Sequence, residues 1–597
     1  MSDAATLSPP DADQTFVDRS VTGRRWLLAA GDERIGLALS QRHRLPEIVG
    51  RMMAARGIGL EDASAFLEPR LKDCLPDPSH LLDMNIAAAR LADAVEKGEQ
   101  IGLFGDYDVD GATSTALMLR ALQSLGCNPL WHIPDRMTEG YGPNAPALLE
   151  LQAQGASLVV TLDCGVTAFE PLEEATKAGL DIIVLDHHTA EPELPAAIAV
   201  VNPNRIDESS PHGTLAACGV TFLAIIALVR ELRDRGWFEK SGRSEPNLMA
   251  LLDLVALGTI CDVVPLHGLN RALAAQGLKV MAGRTNQGIA ALADIGGVNE
   301  RLNAFHAGFI IGPRINAGGR VGTSGLGAEL LTCTDRHRIS ELAGMLDHMN
   351  HERRQLEVEI LEQAESRFLD PDAAVLITVA EGWHPGVIGI VASRLKEKYH
   401  RPVAVVALDE GLGKASCRSV RGFDFGSAVI AARQSGLLVA GGGHAMAAGF
   451  TVESGKLDAL AAFLNDRLAD TTTPDQLIPT LKLDAVLRPQ GASVQTIQAL
   501  QKMAPFGAGN PSPRLALQGG RIIKPKVLKD KHVGGLLQDS SGGRPVKLIA
   551  FNAMETELGP AMLNAMDREI MLAGSLDIDR WNGEERPQLK VQDAALG

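Results

Sequence analysis

Apolar and polar positions change their period several times along the chain, and each change marks a different kind of element. The first 25 residues, rich in Pro, Asp, Ser and Thr, show no periodicity and are expected to form a flexible tail, with order beginning at Trp26. From about Leu45 to Val95 the apolar spacing is helical, broken by LEPRLKDCLPDPSH, where Pro69, Pro76 and Pro78 prevent a continuous helix. Beyond residue 100, short apolar runs alternate with helical stretches: IGLFGDYD, SLVVTLDCG and LDIIVLDHH. That rhythm predicts an α/β domain with a mostly parallel sheet. A charged segment over 339–370, with Gly344 its sole internal breaker, reads as a connecting helix. AAVLITVAEGW and HRPVAVVALD are again strand-like, with a helix over 386–398 between them. The last stretch alternates short β-like runs with Gly, Pro and Lys turns, the rhythm of a small OB-like β-barrel. The predicted fold is therefore two α/β domains joined by a long helix, followed by the barrel. Its parts are a tail over 1–25, an α/β domain with an N-terminal helical extension over 26–338, the helix over 339–370, a second, smaller α/β domain over 371–470 and the barrel over 471–597.

Composition narrows the class. A chain of 597 residues exceeds what one core supports, and 45% apolar with 22% charged residues is ordinary for globular protein. No apolar run reaches the roughly 18 to 20 residues of a membrane span, and the acidic start is unlike a signal peptide, so a cytoplasmic protein is expected. Seven scattered cysteines without a CxxC pair argue against a disulfide framework and a structural zinc site. A net charge of −16 weighs against a nucleic-acid partner. Only a binding groove needs positive charge, so local clusters decide the matter.

The acidic residues fall where a ligand site is expected. Asp106, Asp108 and Asp110 alternate at the end of the first run, Asp163 ends the second, and Asp186, His187 and His188 end the third. In open α/β sheets ligands bind beyond the carboxyl ends of the strands, so these side chains converge on one edge. Asp262, in GTICDVVPL, adds a carboxylate near a turn. An Asp-rich turn alone is usually solvated surface, but acids on three sibling strands together with paired histidines form a ligand set. Hard carboxylates with one or two imidazoles suit Mn²⁺, the first choice, or Mg²⁺. Two such ions imply hydrolysis of a phosphoester or phosphoanhydride.

The DYDVDG, TLDCG, DHH and CDVVPL segments resemble the four motifs of the DHH phosphoesterase superfamily, most closely its exonuclease branch. The resemblance implies metal ligation by Asp108, Asp110, bridging Asp163, His187 and Asp262, with Asp106, Asp186 and His188 in supporting catalytic roles. The first-motif histidine of smaller members is absent, its place falling at Phe104. Arg136 in IPDRMTEGYG, and Arg314 and Arg320 in GPRINAGGRVG, are implied phosphate contacts. KASCRSVRG and GGGHAMAAG resemble the DHHA1 domain, with Ser416, Arg418 and His444 matching its substrate-binding residues. Lys524, Lys526, Lys529 and Lys531 form the densest lysine run, usually a solvated face, here a candidate track for single-stranded phosphates. Tyr107, Tyr141, Trp383, Phe423 and Phe506 lie near these motifs but read as core more readily than as stacking residues.

The superfamily likeness implies a monomeric, single-stranded-DNA-specific 5′-to-3′ exonuclease that releases 5′-mononucleotides in repair and recombination. Implied partners are a single-stranded-DNA-binding protein and a RecQ-type helicase. The alternatives are a phosphoesterase of the same superfamily acting on short oligonucleotides, cyclic dinucleotides or pyrophosphate, and a non-catalytic scaffold. The added N-terminal helices and barrel favour a long polymer, and the intact ligand set argues against a scaffold.

Overall fold

The computed structural model describes residues 13–136, 138–566, 568–581 and 584–596. They form two compact units, one within residues 69–471 with 507–509, the other within residues 13–68, 472–506 and 510–596.

The first unit begins with five parallel strands in the order Leu130–His132, Ile101–Gly105, Leu158–Leu162, Asp181–Leu185, Ala199–Val201. Alternate residues feed two cores, one on each face. Leu103, Val160 and Ile183 pack on one side, while Phe104, Val159 and Ile182 pack on the other. Burial on both faces is why these strands read as unbroken apolar runs. The strand order reverses between Ile101–Gly105 and Leu158–Leu162, opening a crevice at their carboxyl ends. Phe104, fully buried in the second core, points its ring at His132 and away from that crevice, with centroids 5.3 Å apart.

The connecting helix spans Arg336–Glu365, and the Asp335 side chain caps it by accepting from the Arg338 amide. It leads to a second sheet in the order Ala440–His444, Ala447–Glu453, Leu412–Arg418, Val403–Asp409, Leu376–Glu381, in which the last two pair in parallel and the others antiparallel. The predicted helix between its first strands is Pro385–Tyr399, started by a proline at its first turn.

In the other unit the strand Leu515–Leu528 pairs with both His532–Asp539 and Glu569–Trp581, curling a six-stranded sheet into a partly closed barrel. Two expectations are corrected here. Of the stretch expected as a tail, residues 1–12 lie outside the described residues, and Gln14–Val17 is a strand that pairs with Arg25–Leu28. The N-terminal helices Glu33–His43 and Glu47–Ala55 belong to the barrel's unit, not to the first α/β domain. The physical reason is long-range. Arg25–Leu28 pairs in parallel with Thr480–Leu483, and the buried Asp593 carboxylate accepts from Ser20 Oγ at 2.6 Å and Trp26 Nε1 at 2.9 Å.

Candidate active site

Three aspartates stand in step along the edge of the parallel sheet. Asp106, Asp163 and Asp186 each donate a backbone N–H to the last carbonyl of the neighbouring strand, at Leu162, Leu185 and Val201. Extending the ladder by one residue fixes where each carboxylate starts. Asp163 does so with φ of 64°, a left-handed conformation that costs a non-glycine residue energy and is found at functional sites. The Asp106 loop is then closed by helix Val109–Ser124, capped by the Asp108 carboxylate, which accepts from the amides of Asp110 and Gly111. Gly111 is required, because a Cβ there would lie 2.3 Å from the Asp106 carbonyl oxygen.

Around this edge the donors come together in three overlapping groups: Asp106, Asp108 and Asp163; Asp110, His187 and Asp262; Asp163, His187 and His188, each with ligand atoms within 4.8 Å of one another. His187 Nε2 lies 3.3 Å from Asp163 Oδ1, 3.8 Å from Asp262 Oδ2 and 4.0 Å from Asp110 Oδ2. Asp110 is fully buried and is held by the first amides of helix Ala217–Asp234, accepting from Ala217 and Cys218. Asp262 arrives at the end of helix Leu252–Cys261.

Crowding of like charge shows in the acidities. Burial, then the neighbouring Asp108, push Asp106 up to about 7. Burial, then Asp110 and Asp108, push Asp262 up to about 8. Asp163 is also driven well above the usual carboxylate range, first by burial and then by Asp110. Asp186 behaves differently. Burial works against its charge, but hydrogen bonds from His188 and the amide of Val166 hold it low. Its partner His188 is raised to about 9, because the 2.8 Å bond to Asp186 outweighs the effect of burial. Asp186 and His188 therefore form an ion pair, whereas at Asp106, Asp163 and Asp262 burial and the neighbouring carboxylates prevail.

The donor set fits divalent cations on a further observation. Asp106 Oδ1, Asp163 Oδ1 and Asp262 Oδ2 are buried without a hydrogen-bond partner. Burying a carboxylate oxygen unpaired is strongly unfavourable, and hard oxygen and imidazole donors match Mn²⁺ or Mg²⁺.

Phosphate-binding candidates divide into those brought together and those not. Arg320 ends helix Gly312–Val321, whose Gly319 packs on the Asp106–Asp108 loop so closely that a Cβ would lie 2.7 Å from the Tyr107 carbonyl. Arg320 itself reaches across to the Gly386 carbonyl at 2.9 Å, and with Arg418, Ser393, Arg394 and Glu397 lines a pocket of about 260 Å³. Burial, then Arg136, Arg353 and Arg418, lower Arg320 to about 10 against the opposing pull of Asp108, while Arg353 and Arg394 are paired with Glu357. Arg418 donates to Ser416 Oγ at 3.2 Å. Arg136 lies over the Tyr107 ring, 5.2 Å from its centroid.

His444 is exposed at the end of its strand, in register with Ala447 and, one strand further, Arg418. Arg314 does not join the cluster, a correction to the expected phosphate role. It is buried and committed to Asp347 at 2.8 Å and the Ile310 carbonyl at 2.7 Å. Lys524, Lys526, Lys529 and Lys531 are exposed on and beside the hairpin between Leu515–Leu528 and His532–Asp539, in the barrel's unit.

Sequence reasoning missed Asn202 and Asn204, whose amides donate to the carbonyls of His188 and His187 and fix the paired histidines. It also set aside Tyr141, whose hydroxyl lies 3.4 Å from His188. The signal for the asparagines was the VNPN turn directly after a strand.

Comparison with known proteins agrees with this layout. Residues 100–259 match the DHH family N-terminal domain, 372–470 the DHHA1 domain and 483–593 the RecJ OB domain. The chain is 36% identical over 563 residues to the single-stranded-DNA-specific exonuclease RecJ of Escherichia coli, covering 92% of this chain and 96% of that one. It superposes on RecJ from Thermus thermophilus in complex with Mn²⁺ at a TM-score of 0.78 and 30% identity, covering 94% of this chain and 78% of that one. The Mg²⁺ complex of the same protein gives 0.73 at 28% identity, covering 94% and 77%. With the three modules in this order and relatives matched along nearly its whole length, the chain belongs to the RecJ family of single-stranded-DNA-specific exonucleases.

Proposed function

We propose that the protein is a metal-dependent exonuclease that hydrolyses single-stranded DNA from its 5′ end, releasing 5′-mononucleotides, with two divalent ions and Mn²⁺ preferred. One observation carries this reading: helix Gly312–Val321 touches the metal-donor loop with Gly319 and lines the arginine pocket with the next residue, Arg320. A terminal phosphate held in that pocket sets its neighbouring phosphodiester against the donors, and cleavage then counts from the end of the strand.

Asp106, Asp108 and Asp163 would hold one ion and Asp110, His187 and Asp262 the other, and Asp163 also groups with His187 and His188. This gives Asp106 a ligand role in place of the supporting one expected from sequence. When bound, such ions supply Lewis-acid neutralisation for attack of water on a phosphodiester. The chain's own residues do the rest. Asp186 orients His188 through Nδ1 and keeps it charged, so that Nε2 carries a proton toward the phosphate. Arg136, Arg320 and Arg418, with Ser416, bind and orient the phosphate end, and His444 borders that end from the adjoining hairpin. The lysines at 524, 526, 529 and 531 draw in the backbone through counter-charge. A monomer acting in the cytoplasm with a single-stranded-DNA-binding protein and a RecQ-type helicase completes the reading.

Linear single strands, single-stranded circles and blunt duplexes of one sequence, each incubated with Mn²⁺, test it. Loss of the linear strand alone is expected. Circles cut at a comparable rate would show an endonuclease, and duplex degraded as fast as single strand would remove the single-strand specificity.

A further inference from the structure

A π turn, Ala307–Ile311, separates the short helix Ala304–His306 from Gly312–Val321. π turns are rare and frequently mark functional sites. Both ends of this one rest on Cys261, the residue before Asp262. Cys261 Sγ donates to the Ala307 carbonyl at 3.5 Å, and a Cβ on Gly312 would lie 2.5 Å from the same sulfur. His306 is buried, its Nδ1 accepting from the Asn303 amide. The flanking Phe305 and Phe309 face solvent instead, 59% and 67% exposed. Their rings stack on each other, with centroids 5.2 Å apart and planes 24° apart. Val263, directly after Asp262, is 68% exposed and has φ of 62°, a left-handed conformation that strains a β-branched residue.

Single exposed apolar residues are common, but two phenylalanines stacked in solvent contribute little to the fold and ask for another explanation. Their place supplies one. Phe309 stands on the turn anchored beside a candidate metal donor and Phe305 on the short helix leading into it, on the chain segment that goes on to Arg320. We propose that Phe305 and Phe309 form a stacking platform for an unpaired base of the strand being cut, deepening the exonuclease reading on which this rests. Stacking on an aromatic face is indifferent to sequence, as a nuclease that accepts any base requires. It also needs a base whose own face is free. A base inside a duplex has both faces covered by its neighbours and its edge paired, so the platform adds to the preference for single strands.

The test uses the full chain with Mn²⁺ and 5′-phosphorylated single strands carrying phosphorothioate linkages, with one abasic site stepped through the strand. Affinity is read by fluorescence anisotropy. The wild type should lose about tenfold in Kd when the abasic site reaches one particular position, the equivalent of one base–aromatic stack. Phe305→Ala with Phe309→Ala should bind the intact strand about tenfold more weakly and lose that positional dependence, and Phe309→Trp should keep both. A double variant that binds the intact strand as tightly as wild type, or that keeps the positional dependence, overturns the platform. A changed oligomeric state with unchanged DNA affinity also overturns it and makes a second copy of the chain the occupant. Failure of the wild type to degrade single strands at all would instead sink the parent reading.

Discussion

At the sheet edge, carboxylates crowd together until burial and mutual repulsion raise Asp106 to about 7 and Asp262 to about 8. Across the Gly319–Arg320 peptide, burial and then neighbouring arginines lower Arg320 to about 10. The two regions are opposite in sign and alike in construction. Each gathers like charges in a buried place, where low dielectric makes their repulsion expensive, and each would be relieved by a ligand of opposite charge. The Asp186–His188 and Arg314–Asp347 pairs show the contrast, since both lie beside these regions, carry their own counter-charge and await nothing. On the proposed reading binding and folding would be linked at both places, the cation stabilising the first and the phosphate the second.

The largest effect should come from Asp163, shared between the donor groups. Asp163→Ala is expected to lower single-turnover cleavage by at least about a hundredfold. The melting temperature of the metal-free protein should rise or hold, because a repelling carboxylate is gone; a large fall would show Asp163 to be structural instead. Metal removal sharpens the same point. A carboxyl raised in the folded state binds protons that the unfolded chain has released, so the chelated protein should lose stability as pH rises from about 5 to 8. Protein saturated with Mn²⁺ should melt higher and show a flatter profile, and identical profiles with and without chelator would place the ions elsewhere.

For the arginine pocket, Arg418→Ala should reduce the preference for 5′-phosphorylated over 5′-hydroxyl strands by about tenfold or more, the worth of a charge-assisted hydrogen bond. Gly319→Ala tests the peptide joining the two regions. The added Cβ displaces the Tyr107 carbonyl, and kcat should fall by about tenfold while far-ultraviolet circular dichroism stays native. The smallest effect is expected at the barrel. Replacing Lys524, Lys526, Lys529 and Lys531 by Ala should leave cleavage chemistry intact and reduce the salt dependence of strand binding, by a slope of roughly 0.7 for each phosphate that a lysine no longer neutralises.

The metal edge was legible in the sequence because strand pattern and acid position coincide: an apolar run ending in Asp places a carboxylate at the sheet's carboxyl edge with no further information. The arginine pocket was half legible. Arg314 and Arg320 sit in one glycine-rich segment, but six residues of helix rotate through about 240°, so only one of them can face the pocket. Which one depends on Asp347 in the connecting helix, distant in sequence. The placement of the N-terminal helices was illegible for the same reason, because it rests on Arg25–Leu28 meeting Thr480–Leu483 and on Asp593 meeting Trp26. Phe305 and Phe309 carried no signal at all, since helical spacing of two aromatics is also the signature of a core face.

The most direct test of end-directed cleavage at the sheet edge is to follow a 5′-phosphorylated, 3′-labelled single strand in Mn²⁺ and size its products over time, for the wild type and for Asp163→Ala. The account predicts a ladder shortening one nucleotide at a time from the 5′ end with wild type and an intact strand with the variant. Shortening from the 3′ end, internal cuts, or undiminished cleavage by the variant would contradict it.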